Sequence, residues 1–221
     1  MTFILNTPSL VSQTAISFDP KVLEVGHCGL FRAPLHLAAQ LMPSMAELVA
    51  SVPVENPEDY ELDIKVHMLM AGQFPCIPNW HTDNVPRDES GLRFDLIPSD
   101  VPPMLLWISE GPETEFLAQK VAMPNRPGSH QEIARFIEAG DYHVRHTFDW
   151  ATGPAYQTQS IQPNVWWSMD QRTPHRGTRA TKAGWRVFAR VTPKALAPQR
   201  PVSSVIRRHA QVYLDAAEFG W

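Results

Sequence analysis

The stretch Tyr60-Glu-Leu-Asp-Ile-Lys-Val-His-Met68 decides the fold class of this chain. Apolar side chains occupy every second position from Tyr60 to Met68, and polar side chains occupy the positions between them: Glu61, Asp63, Lys65 and His67. Neighbouring side chains of an extended strand point to opposite faces. The stretch therefore predicts a β-strand with one apolar and one polar face.

Four further short apolar runs follow, and proline or glycine separates them. They cover residues 104–108, 156–161, 165–169 and 185–191. Many short strands with such turn residues between them are typical of a sandwich or barrel. The chain also holds 21 prolines against 11 glycines, which disfavours a helical bundle.

Two segments have helical patterns. Residues 34–51 predict a helix in two pieces, interrupted at Pro43, with a Ser44/Glu47 capping box starting the second piece. A second capping box, Ser129 with Glu132, opens another helix that Gly140 is expected to end. The predicted architecture is mainly β, a jelly roll with flanking helices.

Length and composition favour one domain. With 221 residues, 43% of them apolar and 19% charged, the chain can bury a substantial core. We expect a single domain over 1–221, with an N-terminal extension with helices (1–59), a jelly-roll core (60–192) and a C-terminal extension (193–221).

Charge and cysteine content restrict the functional classes. The net charge of −4 gives no global attraction to nucleic acid or acidic membranes. Cys28 and Cys76 are too few for a disulfide framework, and no signal peptide or membrane-spanning run is evident. These features predict a cytoplasmic protein in a reducing compartment. The sequence predicts no oligomeric state.

The segment Trp80-His-Thr-Asp83 contains two metal-ligand types at strand spacing. Residues two apart share a face, so His81 and Asp83 could reach one ion together. Alone the motif is weak, but His175 follows far downstream and supplies a third ligand type. Two imidazoles and a carboxylate form a facial triad that suits non-haem iron(II).

Two arginines of a predicted strand, Arg186 and Arg190, follow His175 along the chain. Arg186 comes eleven residues after His175, and Arg190 shares its strand face. A guanidinium that faces a protein interior needs an anionic partner, which a bound dicarboxylate would provide.

The order His81-x-Asp83, His175, Arg186 resembles the pattern of the iron(II)/2-oxoglutarate-dependent dioxygenase superfamily over residues 60–192. The resemblance implies a double-stranded β-helix fold and an oxidoreductase that uses Fe(II), 2-oxoglutarate and O2. It also implies metal ligation by His81, Asp83 and His175, with 2-oxoglutarate held by Arg186. Arg190 is the rival anchor, or a substrate contact.

Two other functional classes stay open. One is a cupin-like metal enzyme that does not use 2-oxoglutarate, and the other is a non-catalytic jelly-roll binding module. A second metal site at His143 and His146 is weakly supported, because no suitable carboxylate pattern surrounds them, and both are expected on the surface after the Gly140 helix stop.

The region from Asp170 to Lys194 carries seven cations and one acid, against an acidic average. This excess suggests an anionic small-molecule or nucleotide substrate. Nucleic acid is less favoured because the whole chain is acidic. A solvated basic turn paired with acids elsewhere explains the excess equally well.

Overall fold

The computed structural model describes residues 2–16, 28–146, 156–196 and 205–214, and only the backbone of 141–146. The described helices are α1 (Leu35–Leu41), α2 (Ala46–Ala50) and α3 (His130–His146). The described strands are β1 (Phe3–Leu5), β2 (Ser9–Gln13), β3 (Gly29–Pro34), β4 (Tyr60–Leu69), β5 (Arg87–Asp88), β6 (Gly91–Leu92), β7 (Met104–Ile108), β8 (Thr114–Leu117), β9 (Val121–Met123), β10 (Thr158–Ser160), β11 (Val165–Met169), β12 (His175–Gly177), β13 (Gly184–Pro193) and β14 (Ile206–Arg207).

A seven-stranded antiparallel sheet dominates this mainly β fold, in the order β14-β3-β4-β13-β7-β11-β2. The two ten-residue strands β4 and β13 pair along their full length in its centre. Their register places Arg186 opposite His67 and Arg190 opposite Asp63. Residues directly opposite each other in an antiparallel pair point to the same face. Two arginines therefore share one face with the polar side chains of β4.

The two faces of the large sheet are covered differently. Apolar residues of β4 and β13, such as Ile64 and Val187, pack on one face against α1 and α2. On the opposite face, Leu106 and Ile108 of β7 pack with Phe116 of β8. Strand β8 is the centre of a second, three-stranded sheet, β10-β8-β12. The fold is consistent with a β-sandwich in which the two sheets enclose a core and a cluster of polar side chains.

The expected strands are confirmed at 60–69, 104–108, 165–169 and 184–193, while the run 156–161 forms a shorter strand at 158–160. The polar face of β4 differs from a solvated face, because Asp63 and His67 are buried. Alternation looks the same whether the polar side chains meet water or a polar interior. Burial of this face is therefore information that only the tertiary structure supplies.

The helices confirm one capping prediction in part and correct another. The Ser129 hydroxyl accepts a bond from the Glu132 N–H at 3.2 Å, which is one half of the predicted capping box, while the Glu132 carboxylate accepts from the N–H of Gly128 and not of Ser129. In contrast, the N-cap of α2 is Met45, so the Ser44/Glu47 capping box is wrong. Pro43 starts a 3₁₀ turn, Pro43–Met45, that leads directly into α2 and moves the helix start beyond Ser44.

Gly140 does not end its helix, because α3 continues to His146. A Cβ at Gly140 would lie 2.0 Å from the Tyr156 ring, so this glycine permits close packing of the ring on the helix. His143 and His146 are accordingly helical and do not follow a helix stop, and their side chains lie outside the described residues.

The segments outside the predicted core also join the large sheet. Strands β2 and β3 from residues 1–59, and β14 from residues 193–221, pair within it. The division into a core and two extensions stays a prediction. None of the described helices has both the length and the apolar character that crossing a membrane requires.

Candidate metal centre

The triad is brought together by a backbone contact between distant segments. His81 lies after β4, and its N–H and C=O bond to the C=O and N–H of His175 in β12, at N···O distances of 3.0 and 2.9 Å. This antiparallel bridge places the two imidazoles side by side, with ring centroids 4.4 Å apart. Asp83, two residues after His81, completes the group.

The ligand atoms of His81, Asp83 and His175 lie within 4.8 Å of one another. The Asp83 carboxylate is 4.0 Å from Nε2 of His81 and 3.5 Å from Nε2 of His175. Ligands about 2.1 Å from a metal and at right angles to each other are about 3 Å apart. Side-chain adjustments of about an ångström therefore suffice to bind an ion.

Both imidazoles are oriented for ligation through Nε2. Nδ1 of His81 lies 2.9 Å from the carbonyl oxygen of Asn79, and Nδ1 of His175 lies 3.3 Å from that of Thr173. A carbonyl oxygen only accepts hydrogen bonds, so these contacts assign the proton to Nδ1 in both rings. The Phe116 ring stacks on His175 with centroids 5.3 Å apart and fixes its plane.

Arg190 bridges the Asp83 carboxylate to a second acid. Its Nη1 donates to Oδ2 of Asp83 at 2.5 Å, and its Nη2 donates to Oδ2 of Asp63 at 2.8 Å. Oδ1 of Asp83 is the carboxylate oxygen nearest to Nε2 of His81, whereas Oδ2 lies near both Arg190 and Nε2 of His175. The guanidinium thus orients the carboxylate to offer one oxygen to an ion.

The charge states at the triad suit metal ligation. Burial lowers the pKa of His81 to about 4, with a further contribution from the neighbouring His175. Burial disfavours the charged form of Asp83, yet the Arg190 guanidinium and the two imidazoles hold the pKa of Asp83 well below its ordinary value. At neutral pH the site therefore offers an anionic carboxylate and a neutral His81.

Arg186 has a different environment from Arg190. It is 1% exposed, and its Nη2 donates to the Thr114 hydroxyl at 2.8 Å. Within the part of the chain that the structure describes, its Nε and Nη1 are buried and have no hydrogen-bond partner. Burial lowers the pKa of Arg186 to about 10. Such uncompensated donors in an interior are what an anion-binding position requires.

The surroundings of Arg186 are polar and rich in positive charge. His67 lies opposite Arg186, is 2% exposed, and has a pKa lowered to about 3 by burial and by the Arg186 charge. Lys65, on the same face, has a pKa lowered to about 8, mainly by burial. This face of β4 and β13, together with Asp83, holds three cationic side chains and three carboxylates: Lys65, Arg186, Arg190, Glu61, Asp63 and Asp83. Glu61 pairs with Arg32, and Asp63 and Asp83 pair with Arg190, so none of the three carboxylates pairs with Arg186. The interior is thus suited to an anion even before a divalent cation is added.

The structure brings together four of the five residues predicted for the site: His81, Asp83 and His175, with Arg190 bonded to Asp83. Arg186 lies beside them, bonded to Thr114 of the smaller sheet. Sequence reasoning missed the roles of Asp63 and Thr114. The sequence around Asp63 did contain a signal, because an acid that alternates with apolar residues in a long strand can face a polar interior. The sequence around Thr114 contains no comparable signal.

His130, the first residue of α3, is a further neighbour that sequence reasoning missed. Its ring centroid lies 6.1 Å from that of His81, and its Nε2 lies 3.4 Å from the Thr82 hydroxyl. Burial and the nearby Arg87 charge lower the pKa of His130 to about 4. A neutral imidazole thus flanks the triad on the side of His81.

Comparisons of the chain with protein-family models, with curated proteins and with solved structures give no match. The assignment of the site therefore rests on the residues themselves. A buried His-Asp-His group that could hold a metal ion is compatible with the metal site of a 2-oxoglutarate oxygenase or of a cupin.

Proposed function

We propose that this protein is an oxidoreductase, an iron(II)- and 2-oxoglutarate-dependent oxygenase that hydroxylates a small-molecule substrate. The observation that carries the proposal is the buried Arg186 on the large sheet, whose Nε and Nη1 have no partner within the described ranges. A metal enzyme without a dianionic co-substrate has no evident need for this guanidinium.

Arg186 and His175 both contact strand β8, and the separation of their contacts along this strand is compatible with a five-carbon diacid that spans them. Thr114, which accepts the Arg186 bond, is two residues from Phe116, and Phe116 stacks on His175. Two residues of a strand span about 6.6 Å. The terminal carbons of extended 2-oxoglutarate are about 5 Å apart, given carbon–carbon bonds of about 1.5 Å. One carboxylate could reach Arg186 while the keto-acid end reaches an ion at the triad.

Each residue has a defined task in this proposal. Iron(II) with 2-oxoglutarate and O2 supplies the oxidising chemistry when bound. His81, Asp83 and His175 hold the ion on one side and leave the other side open. Arg190 orients Asp83, and Arg186 with Thr114 binds the distal carboxylate through charge-assisted hydrogen bonds. The packed apolar residues of both sheets exclude water. Arg190 is the less suitable anchor, because protein carboxylates occupy both of its terminal nitrogens.

The double-stranded β-helix is part of the same proposal. From β7 to β13 the chain crosses repeatedly between the two sheets: β7 belongs to the large one, β8 and β10 to the small one, β11 to the large, β12 to the small and β13 to the large, while β9 pairs with β1 apart from both. Such crossing between two antiparallel sheets is a property of jelly rolls.

The test is an anaerobic titration with iron(II) and 2-oxoglutarate. We expect one iron per chain and a weak visible charge-transfer band when 2-oxoglutarate is added. His81→Ala should abolish the band, and Arg186→Gln should shift its half-saturation to at least about 30-fold higher 2-oxoglutarate. Arg126→Gln, a change at an exposed arginine paired with Asp95, is the matched control.

Two results would overturn the proposal. Stoichiometric iron without a 2-oxoglutarate-dependent band would favour a cupin-like metal enzyme. Absence of iron binding by the wild-type protein would favour a non-catalytic binding module.

A further inference from the structure

Arg87 is an exposed arginine, and two acids of the same region, Asp88 and Asp95, pair with other residues. Asp88 accepts bonds from Ser90 and Arg93, and Asp95 pairs with Arg93 and Arg126. Among the residues that the structure describes, Arg87 has no ion pair with a carboxylate. Its side chain instead approaches His130, with Nη2 3.3 Å from both ring nitrogens.

The backbone holds Arg87 and His130 together. Arg87 begins the β5–β6 hairpin, and the N–H of Leu92 at the end of that hairpin donates to the carbonyl of Gly128 at 2.8 Å. Gly91 has a φ of +107°, and a Cβ there would lie 2.1 Å from the same carbonyl oxygen. The hairpin thus packs backbone to backbone against the start of α3, where His130 lies.

This pair flanks the triad on a different side from Arg186. Strand β12 carries His175 and has β8 on one edge and the His81 bridge on the other. Arg186 contacts Thr114 on the β8 side, whereas His130 contacts Thr82 on the His81 side. A 2-oxoglutarate molecule held by Arg186 would leave Arg87 and His130 free for another ligand.

We propose that Arg87 and His130 form a binding position for a negatively charged group, a carboxylate or phosphate, of the primary substrate. The guanidinium supplies charge and paired donors, and the neutral imidazole supplies one N–H. A group bound there would place the attached carbon skeleton next to the triad. That the bound molecule is a substrate rests on the proposed oxygenase function, whereas the existence of the anion-binding position does not.

The structure locates this position away from the basic stretch 170–194. Arg176 of that stretch pairs with Glu115 at 2.6 Å, and Arg190 pairs with Asp63 and Asp83. The charges of Arg176 and Arg190 are therefore compensated by acidic side chains of the protein. Arg87 lies outside the stretch, and its charge is available at the edge of the triad.

The experiment is an NMR titration of the full-length, metal-free protein at constant ionic strength. Inorganic phosphate and acetate are the probes, and the ring signals of His130, assigned with His130→Gln, are the readout. We expect saturable shifts with at least one of the two anions. A tighter response to phosphate identifies a phosphoryl group, and a tighter response to acetate identifies a carboxylate.

The variants make the result specific. Arg87→Gln should lower the affinity for the anion at least about 10-fold, since it removes a charge-assisted contact. Arg87→Lys, which keeps the charge, should weaken it less and serves if Arg87→Gln fails to fold. Arg126→Gln, which removes an exposed arginine paired with Asp95, should leave the His130 response unchanged. The proposal would be overturned if neither anion shifts the His130 signals. It would also be overturned if wild type and Arg87→Gln bind the anion with equal affinity.

The two proposals fail in distinguishable ways. The anion titration contains neither metal nor 2-oxoglutarate, so a missing charge-transfer band does not affect it. A protein that shows the band but no anion response at His130 would retain the oxygenase assignment and lose only the substrate class.

Discussion

Arg186 and Arg190 lie on the same face of one strand, and their replacement by methionine should change stability in opposite directions. Arg190 has two carboxylate partners, whereas two buried nitrogens of Arg186 have no partner among the described residues. We expect Arg186→Met to stabilise the ligand-free protein and Arg190→Met to destabilise it. The contrast separates a ligand-binding arginine from one that maintains the protein's own structure.

The magnitudes follow from the two environments. The pKa of Arg186 falls from 12.5 to about 10 on burial. At about 1.4 kcal/mol per pKa unit, the charged form in the folded protein is disfavoured by about 3 kcal/mol. Arg186→Met removes this cost of burying the charge, but it also loses the hydrogen bond to Thr114 and some packing, which together cost about 1–2 kcal/mol. The free energy of unfolding should therefore rise by about 1–2 kcal/mol. Arg190→Met removes the cation between the buried Asp63 and the half-buried Asp83, leaving Asp63 with Arg207 and the Arg32 N–H, and should cost about 3 kcal/mol.

Binding of 2-oxoglutarate should cancel the stability advantage that Arg186→Met has over the wild type. With zinc in place of iron to prevent turnover, 2-oxoglutarate at 100 times its dissociation constant stabilises the wild type by about 2.7 kcal/mol. A 30-fold loss of affinity reduces that gain to about 0.9 kcal/mol in Arg186→Met. Urea unfolding with and without 2-oxoglutarate measures both effects. A ligand-free Arg186→Met protein at least about 2 kcal/mol less stable than wild type would refute the argument.

Three further predictions follow from the site. His81→Ala should abolish stoichiometric iron binding, measured by metal analysis, while the far-ultraviolet circular dichroism stays unchanged; iron at wild-type affinity would contradict the triad. His67 should be protonated on unfolding at pH values between its ordinary pKa of 6.5 and its folded pKa of about 3. Folding stability should therefore fall as the pH drops through this range, and His67→Leu should flatten the dependence by up to about 1.4 kcal/mol per pH unit in urea unfolding; an unchanged slope would contradict it. Gly177→Ala would place a Cβ 2.8 Å from the Cys76 carbonyl oxygen and should cost about 1–3 kcal/mol in the same assay. Gly184→Ala, where a Cβ meets no atom within 4 Å, is its control and should be neutral or stabilising.

The sequence predicted the elements whose signals are local. The alternation over 60–68 located the central strand β4, and the order of His81, Asp83 and His175 identified three side chains that the fold brings together. Both depend on spacing along the chain, which the backbone geometry converts directly into direction.

The remaining features depend on contacts between distant segments. The alternation of β4 does not reveal that Asp63 meets an arginine, because the polar face has the same pattern in water as in an interior. Gly140 resembles a helix stop in the sequence, but it accommodates the Tyr156 ring. Neither fact is visible within the few residues around each position, so sequence reasoning could not predict them.

The backbone bridge between His81 and His175 has a consequence for which ion the protein acquires. The protein's own hydrogen bonds hold both imidazoles side by side, so only small side-chain adjustments separate the ligand-free site from a metal-binding one. The affinity of two nitrogens and one oxygen for divalent metals follows the Irving–Williams order, in which nickel, copper and zinc bind more tightly than iron(II). Preparations of this protein should therefore be prone to mismetallation, and their metal content should reflect the metals supplied during expression and purification. Chelation followed by anaerobic reconstitution with iron(II) is then a prerequisite for any measurement of oxygenase activity.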